Sequence, residues 1–128
     1  MTNIDTVLES MTFDNFSNGT HKISPEKFFM KRDTVFLDIR FQYEYETVAF
    51  NLQHHMPVLN IPINEIPKRW QEIPKDKFVG ILCSSSDRAA MVFLYLKGQG
   101  FEDVRIIEGG YAKILDEFKP GKLKKIIS

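Results

Sequence analysis

Four short, mostly apolar runs set the tightest limit on what this chain can fold into. They are Val35-Phe36-Leu37-Asp38-Ile39, Val58-Leu59-Asn60-Ile61, Phe78-Val79-Gly80-Ile81-Leu82 and Val104-Arg105-Ile106-Ile107. Runs this continuous suit strands buried on both faces, because a strand with one wet face alternates apolar and polar residues. Helical segments are expected between them. Ser24 is placed to cap a helix whose first position is Pro25 and which carries Phe28, Phe29 and Met30. Lys31-Arg32-Asp33 ends it near a turn. Further helices are expected from Phe41 to Val48, from Asn64 to Gln71 with an interruption at Pro67, and from Asp87 to Lys97, the last apolar almost all round and therefore buried. Gly98 to Gly100 break that helix, and Gly109-Gly110 lead into another from Tyr111 to Phe118. Alternating strands and helices predict an α/β fold: a parallel sheet with helices on both faces and right-handed crossovers. Such sheets bind ligands at the carboxyl ends of their strands.

A chain of 128 residues, 43% of them hydrophobic, suits one domain with enough length to bury a core. Seventeen basic and seventeen acidic side chains give a net charge of zero. No broad field then draws the protein to nucleic acid or to an anionic membrane, and any bound anion must be held locally. The basic end formed by Lys119, Lys122, Lys124 and Lys125 reads as a solvated terminus. Met1 to Thr6 lacks the basic and apolar regions of a secretory signal, and no apolar run approaches the ~20 residues of a transmembrane helix. A cytoplasmic, soluble protein is the expectation. A single cysteine excludes an internal disulfide and agrees with a reducing compartment.

That cysteine, Cys83, follows the third apolar run and precedes Ser84-Ser85-Ser86-Asp87-Arg88, where a helix begins. A lone cysteine is often a small hydrophobe that fills space. Here a polar loop opening into a helix favours a reactive thiolate instead, since the helix N-terminus and converging backbone N–H groups stabilise negative charge. Ser84, Ser85 and Ser86 are small enough for their N–H groups to converge on an anion, and their hydroxyls add donors. Asp87 suits the helix N-cap. Arg88 suits either a fork onto an oxyanion or an ion pair that shapes the loop.

From about Ile23 to Phe118 the chain resembles the rhodanese-like sulfurtransferase domains. The similarity rests on Ile23-Ser24-Pro25-Glu26, Phe36-Leu37-Asp38-Ile39-Arg40, Tyr43-Glu44-Tyr45, His55-Met56-Pro57, Asn60-Ile61-Pro62, the Cys83 to Arg88 loop, and Glu108-Gly109-Gly110-Tyr111, in that order and spacing. The resemblance implies a rhodanese-like, five-stranded parallel sheet over 21–128, preceded by an N-terminal extension over 1–20 that reads as a short helix plus a loop. It implies a catalytic Cys83 that carries sulfur as a persulfide, with Ser84, Ser85, Ser86, Asp87 and Arg88 lining the substrate site. Asp38 and Arg40 match a pair that supports the active loop from behind. The implied partners are a small sulfur donor such as thiosulfate, or a protein persulfide, and a thiol acceptor. Cyanide is the laboratory acceptor, and no metal or organic cofactor is needed. The sequence leaves the oligomeric state open.

Loop length separates this chemistry from a related one. Tyrosine-phosphatase-type loops, and those of phosphatases and arsenate reductases on the same fold, carry one residue more than the four between Cys83 and Arg88. The shorter loop leaves less room for a tetrahedral phosphate. An alternative on the same fold is a catalytically weak interaction or redox-sensing module; a Cys-dependent phosphatase or arsenate reductase is the more distant one. The chain departs from the family pattern at several positions, and those in the loop bear on the donor. Ser86 stands where glycine is common and would be strained if its φ were positive. Asp87 adds an acid and the loop has no lysine, which disfavours dianionic thiosulfate against a persulfide donor. The segment His54-His55-Met56-Pro57-Val58-Leu59 is bulkier than the family's, with His55 expected to be structural rather than a general base, and Ile114 replaces a frequent tryptophan. His21 and His54 have no metal-ligand spacing with Cys83, and Trp70 is expected to pack against the domain.

Overall fold

The computed structural model describes residues 4–41, 43, 57–82 and 86–109. Its elements are α1 (Ile4–Glu9), α2 (Phe13–Ser17), β1 (Lys22–Ile23), α3 (Pro25–Met30), β2 (Thr34–Asp38), β3 (Val58–Asn60), α4 (Ile66–Arg69), β4 (Phe78–Leu82), α5 (Ser86–Gly98) and β5 (Val104–Ile107). Turns of 3₁₀ helix at Ile63–Glu65 and Trp70–Glu72 flank α4. The strands form one sheet in the order β1-β5-β4-β2-β3, with every pair parallel. All four apolar runs are strands of this sheet. The fifth, β1, is two residues at the edge, too short to show a period, and its local sequence reads only as the approach to a helix. Among the described residues no helix is long and apolar enough to cross a membrane.

Local chemistry explains where the chain turns. Ser24 caps α3 by accepting a hydrogen bond from the Lys27 N–H at 3.3 Å, and Pro25 occupies the first turn. Asp33 then takes φ 54°, which reverses the chain into β2. Helix α5 ends in a Schellman arrangement: the Phe101 N–H reaches the Leu96 carbonyl at 3.0 Å and the Gly100 N–H reaches that of Lys97 at 3.1 Å. Gly100 has φ 95°, a conformation that side chains with a Cβ resist.

Side chains of alternate strand residues build two cores. On one face Val35, Leu37, Ile39, Val79, Ile81, Val104 and Ile106 meet Ala89, Val92, Phe93 and Leu96 of α5. On the other, Phe36, Leu82 and Ile107 meet Phe28 and Phe29 of α3. Phe28 is fully buried, with the Phe29 ring centred 5.6 Å away and those of Phe36 and Phe78 each at 6.2 Å. This close seating depends on Gly80 in the middle of β4, because a Cβ there would stand 2.8 Å from Cδ1 and Cζ of Phe28.

Three expectations change. Pro67 does not interrupt its helix: it lies in the first turn of α4, where the missing N–H has no partner to lose. Helix α5 is not buried all round, since Met91 is 62% exposed. Only one of its faces meets the sheet, and apolar residues on the outer face stay in solvent. Segment 4–20 holds two short helices rather than one and a loop, and α1 packs against α5 with Val7 buried. The helix expected from Phe41 to Val48 lies largely outside the described residues, with Tyr43 helical, and that from Tyr111 to Phe118 lies wholly outside them.

Replacing Gly80 with Ala should lower stability by ~1–3 kcal/mol, the cost of overpacking a fixed core. The urea midpoint checks this, and Phe28→Leu in the same chain should recover part of the loss.

Candidate functional site

Strands β2 and β4 are neighbours and end together. Asp38 is in register with Leu82, and the Ile39 N–H donates to the Leu82 carbonyl at 3.1 Å. The chain leaves β4 at Leu82 and enters α5 at Ser86. Cys83, Ser84 and Ser85, the centre of the expected site, lie outside the described residues. What surrounds their place in the chain is described: the carboxyl ends of β2, β3 and β4, and the N-terminus of a 13-residue helix. The N–H groups of a helix's first turn point out of its N-terminus and carry partial positive charge, which favours an anion beside them.

Asp38 and Arg40 form the firmest part of this frame. Arg40 Nη2 donates to Asp38 Oδ2 at 2.7 Å and Nε to Oδ1 at 2.9 Å, while the Arg40 backbone N–H adds a bond to Oδ1 at 3.1 Å. Both side chains are 1% exposed. A bidentate pair with a backbone donor satisfies a carboxylate far better than Coulomb attraction alone, and burial makes its geometry unique. The pair stands at the end of β2, next to the strand that leads to Cys83.

Asn60 belongs to the same frame, and the sequence reading gave it no role. Its Nδ2 donates to the carbonyls of Asp38 at 2.9 Å and Arg40 at 3.1 Å, tying β3 to the two ends of the ion pair. A polar residue inside the run Val58-Leu59-Asn60-Ile61 was the available signal, since a buried amide needs partners.

Arg88, in the first turn and a half of α5, lies with its guanidinium carbon 5.5 Å from the Phe41 ring centroid. Phe41 directly follows Arg40, so a cation–π contact links the start of α5 to the end of β2. Asp87 is corrected from its expected capping role: α5 begins at Ser86, so Asp87 is a helical residue of the first turn and is exposed. A carboxylate there still complements the helix dipole. Ser86 is helical too, and Asp33 is the non-glycine residue with positive φ among the described residues, so the strain considered for Ser86 does not arise. Trp70 packs against the core, edge-on to Phe101 at 6.2 Å. His54, His55 and Ile114 lie outside the described residues.

Replacing one partner of the pair, as in Asp38→Ala or Arg40→Met, should cost ~3–5 kcal/mol by leaving a buried charge without its partner. Denaturant unfolding of both single variants and the double variant checks it. The double should cost much less than the sum.

With this geometry in place, the chain can be compared with known proteins. The family model described as "Rhodanese-like domain" matches residues 26–117. A "Sulfurtransferase" of Allochromatium vinosum is 38% identical over 79 residues, spanning 61% of this chain and 68% of that protein. "Adenylyltransferase and sulfurtransferase UBA4" of Saccharomyces cerevisiae is 28% identical over 89 residues, 65% of this chain, and the match spans only 20% of UBA4. Among solved structures, a NAD-dependent persulfide reductase from A. fulgidus superimposes with a TM-score of 0.60 and 33% identity, covering 78% of this chain and 17% of that one. These similarities support sulfurtransferase activity in general terms.

Proposed function

The chain belongs to the rhodanese-like domain family, and from that premise we propose that it moves sulfane sulfur through a persulfide on Cys83. The observation that supports the reading is the frame at the chain positions flanking Cys83: the end of β4, which pairs with the end of β2 at the buried Asp38–Arg40 pair, and the start of α5. In the first step the Cys83 thiolate attacks the outer sulfur of the donor. A Cys83 Sγ–S bond forms, the donor S–S bond breaks, and the leaving sulfite or thiolate departs with the electron pair. In the second step an acceptor thiolate, or cyanide in an assay, attacks the terminal sulfur. The Cys83 Sγ–S bond breaks, the acceptor leaves as persulfide or thiocyanate, and the thiolate returns. Backbone N–H groups at the start of α5 stabilise the persulfide anion in the manner of an oxyanion hole. Arg88 adds positive charge at the rim, with Phe41 fixing its direction.

Asp87 selects among donors. An exposed carboxylate in the first turn repels dianionic thiosulfate more than a singly charged persulfide, so a thiol-bound persulfide is the preferred donor. A second reading, a module that binds a protein partner and uses Cys83 weakly or for redox sensing, draws support from Tyr43, 82% exposed, and Phe41, 41% exposed, beside the site. Kinetics separate the two readings. Intact mass measurement after incubation with glutathione persulfide should show one added sulfur atom on the wild type and none on Cys83→Ser. A folded wild type that takes no sulfur from either thiosulfate or glutathione persulfide would overturn the sulfur-transfer reading. Asp87→Asn should raise kcat/KM for thiosulfate by about two- to fivefold, the weight of one exposed charge near a helix N-terminus, and leave that for glutathione persulfide nearly unchanged.

A further inference from the structure

A cavity of about 150 Å³ lies between α1, α5 and β5, far from the Cys83 loop. Val7, Met11 and Phe93 supply its apolar lining, while Lys97, Arg105 and His21 supply its bases. Lys97 is eleven residues along α5 from Ser86, about 16 Å at the ~1.5 Å rise of an α-helix. Among the described residues no aspartate or glutamate lines the cavity. Lys97 Nζ donates to the Glu102 carbonyl at 2.8 Å and Arg105 Nη1 to the Val104 carbonyl at 2.9 Å. Both cations therefore rest on main-chain oxygens, and among the described residues neither takes part in an ion pair. Asp103 and Glu102 act on Lys97 as weaker, opposing charges. Burial first, and the Arg105 charge second, pull the Lys97 ammonium below its usual range. Asp103 and Glu102 offset part of the positive charge, and an anion bound in this half-buried hollow relieves the remaining Lys97–Arg105 repulsion.

We infer that this cavity is a binding site for a small organic monoanion, a carboxylate whose charged head meets Lys97 and Arg105 and whose apolar body lies against Phe93, Val7 and Met11. The size agrees, since a dry cavity of ~150 Å³ accepts a benzene-sized body. Phe93 already offers its ring to the Lys97 ammonium at 5.8 Å from the centroid, so the charged and apolar halves of the site adjoin. Burial lowers the His21 pKa, so its imidazole is neutral at physiological pH and brings polarity without a third charge. Val7, Met11 and His21 all precede residue 26, where the family match begins. The N-terminal helix thus completes a pocket from residues outside the matched domain, which gives the extension a function.

Benzoate serves as the probe and benzamide as its neutral isostere, with binding to the full chain read by isothermal titration or ligand-detected NMR. Benzoate should bind, benzamide should bind at least about tenfold more weakly, and Lys97→Met should weaken benzoate by about tenfold, the loss of one charged hydrogen bond. Met11→Trp should block the cavity while the unfolding transition stays cooperative. The inference is overturned if benzoate fails to bind the folded wild type, if benzamide binds equally well, or if Lys97→Met and Arg105→Gln both bind benzoate as the wild type does. Because no sulfur donor is present, none of these outcomes touches the Cys83 reading.

Discussion

Asp38 and Arg40 bind each other with almost no contact with water, and the carboxyl end of the sheet is organised around that pair. A buried ion pair is a poor source of net stability, because removing two charges from water offsets most of their attraction. What it supplies is a single arrangement: four hydrogen bonds from Arg40 to one carboxylate admit little rotation, and Asn60 fixes the backbone on either side. β2, β3 and β4 therefore end in fixed relation to one another. Under the proposed sulfur transfer, a loop that presents one sulfur to two successive partners would gain from such a support, since small displacements of a reacting atom cost rate steeply.

The two faces of the sheet were legible for a simple physical reason. Strands such as β2 and β4 are buried on both sides, so their sequences are apolar almost without a break, and no surface alternation disguises them. The two-residue β1 was not legible in its own sequence, because its pairing with Ile106 and Ile107 is a tertiary fact. Composition misled at α5, where Met91 is apolar and exposed: a helix face is buried by what packs on it, not by its own hydropathy. Gly80 stood in plain view within its run, yet its purpose depends on a phenylalanine more than fifty residues earlier in the chain.

The candidate site divides along the same line. Asp38 and Arg40 could be picked out because the family resemblance pairs them at the end of a strand; their direct contact is a fact of the fold. Arg88 could be named but not aimed. Its sequence neighbours suggested an oxyanion or a carboxylate, and the ring of Phe41 is a contact that spacing alone does not encode. Asn60 escaped because its partners are main-chain carbonyls, which no sequence pattern marks.

Zero net charge looks uninformative, yet it sharpens what the local fields mean. In a strongly basic protein, Lys97 and Arg105 beside one cavity would be two more positive residues in a general positive field. Here seventeen cations balance seventeen anions over the chain, so positive charge gathered in one hollow, with no carboxylate in its wall among the described residues, is a local property. The same holds at the start of α5, where the helix dipole favours an anion while Asp87 opposes a second negative charge. In the proposed readings each place attracts negative charge but limits its amount or its shape: the start of α5 through Asp87, the cavity through its apolar wall. Selectivity for weakly charged partners then follows from short-range chemistry, because screening over ~8–10 Å of salt solution leaves little else to guide a neutral protein.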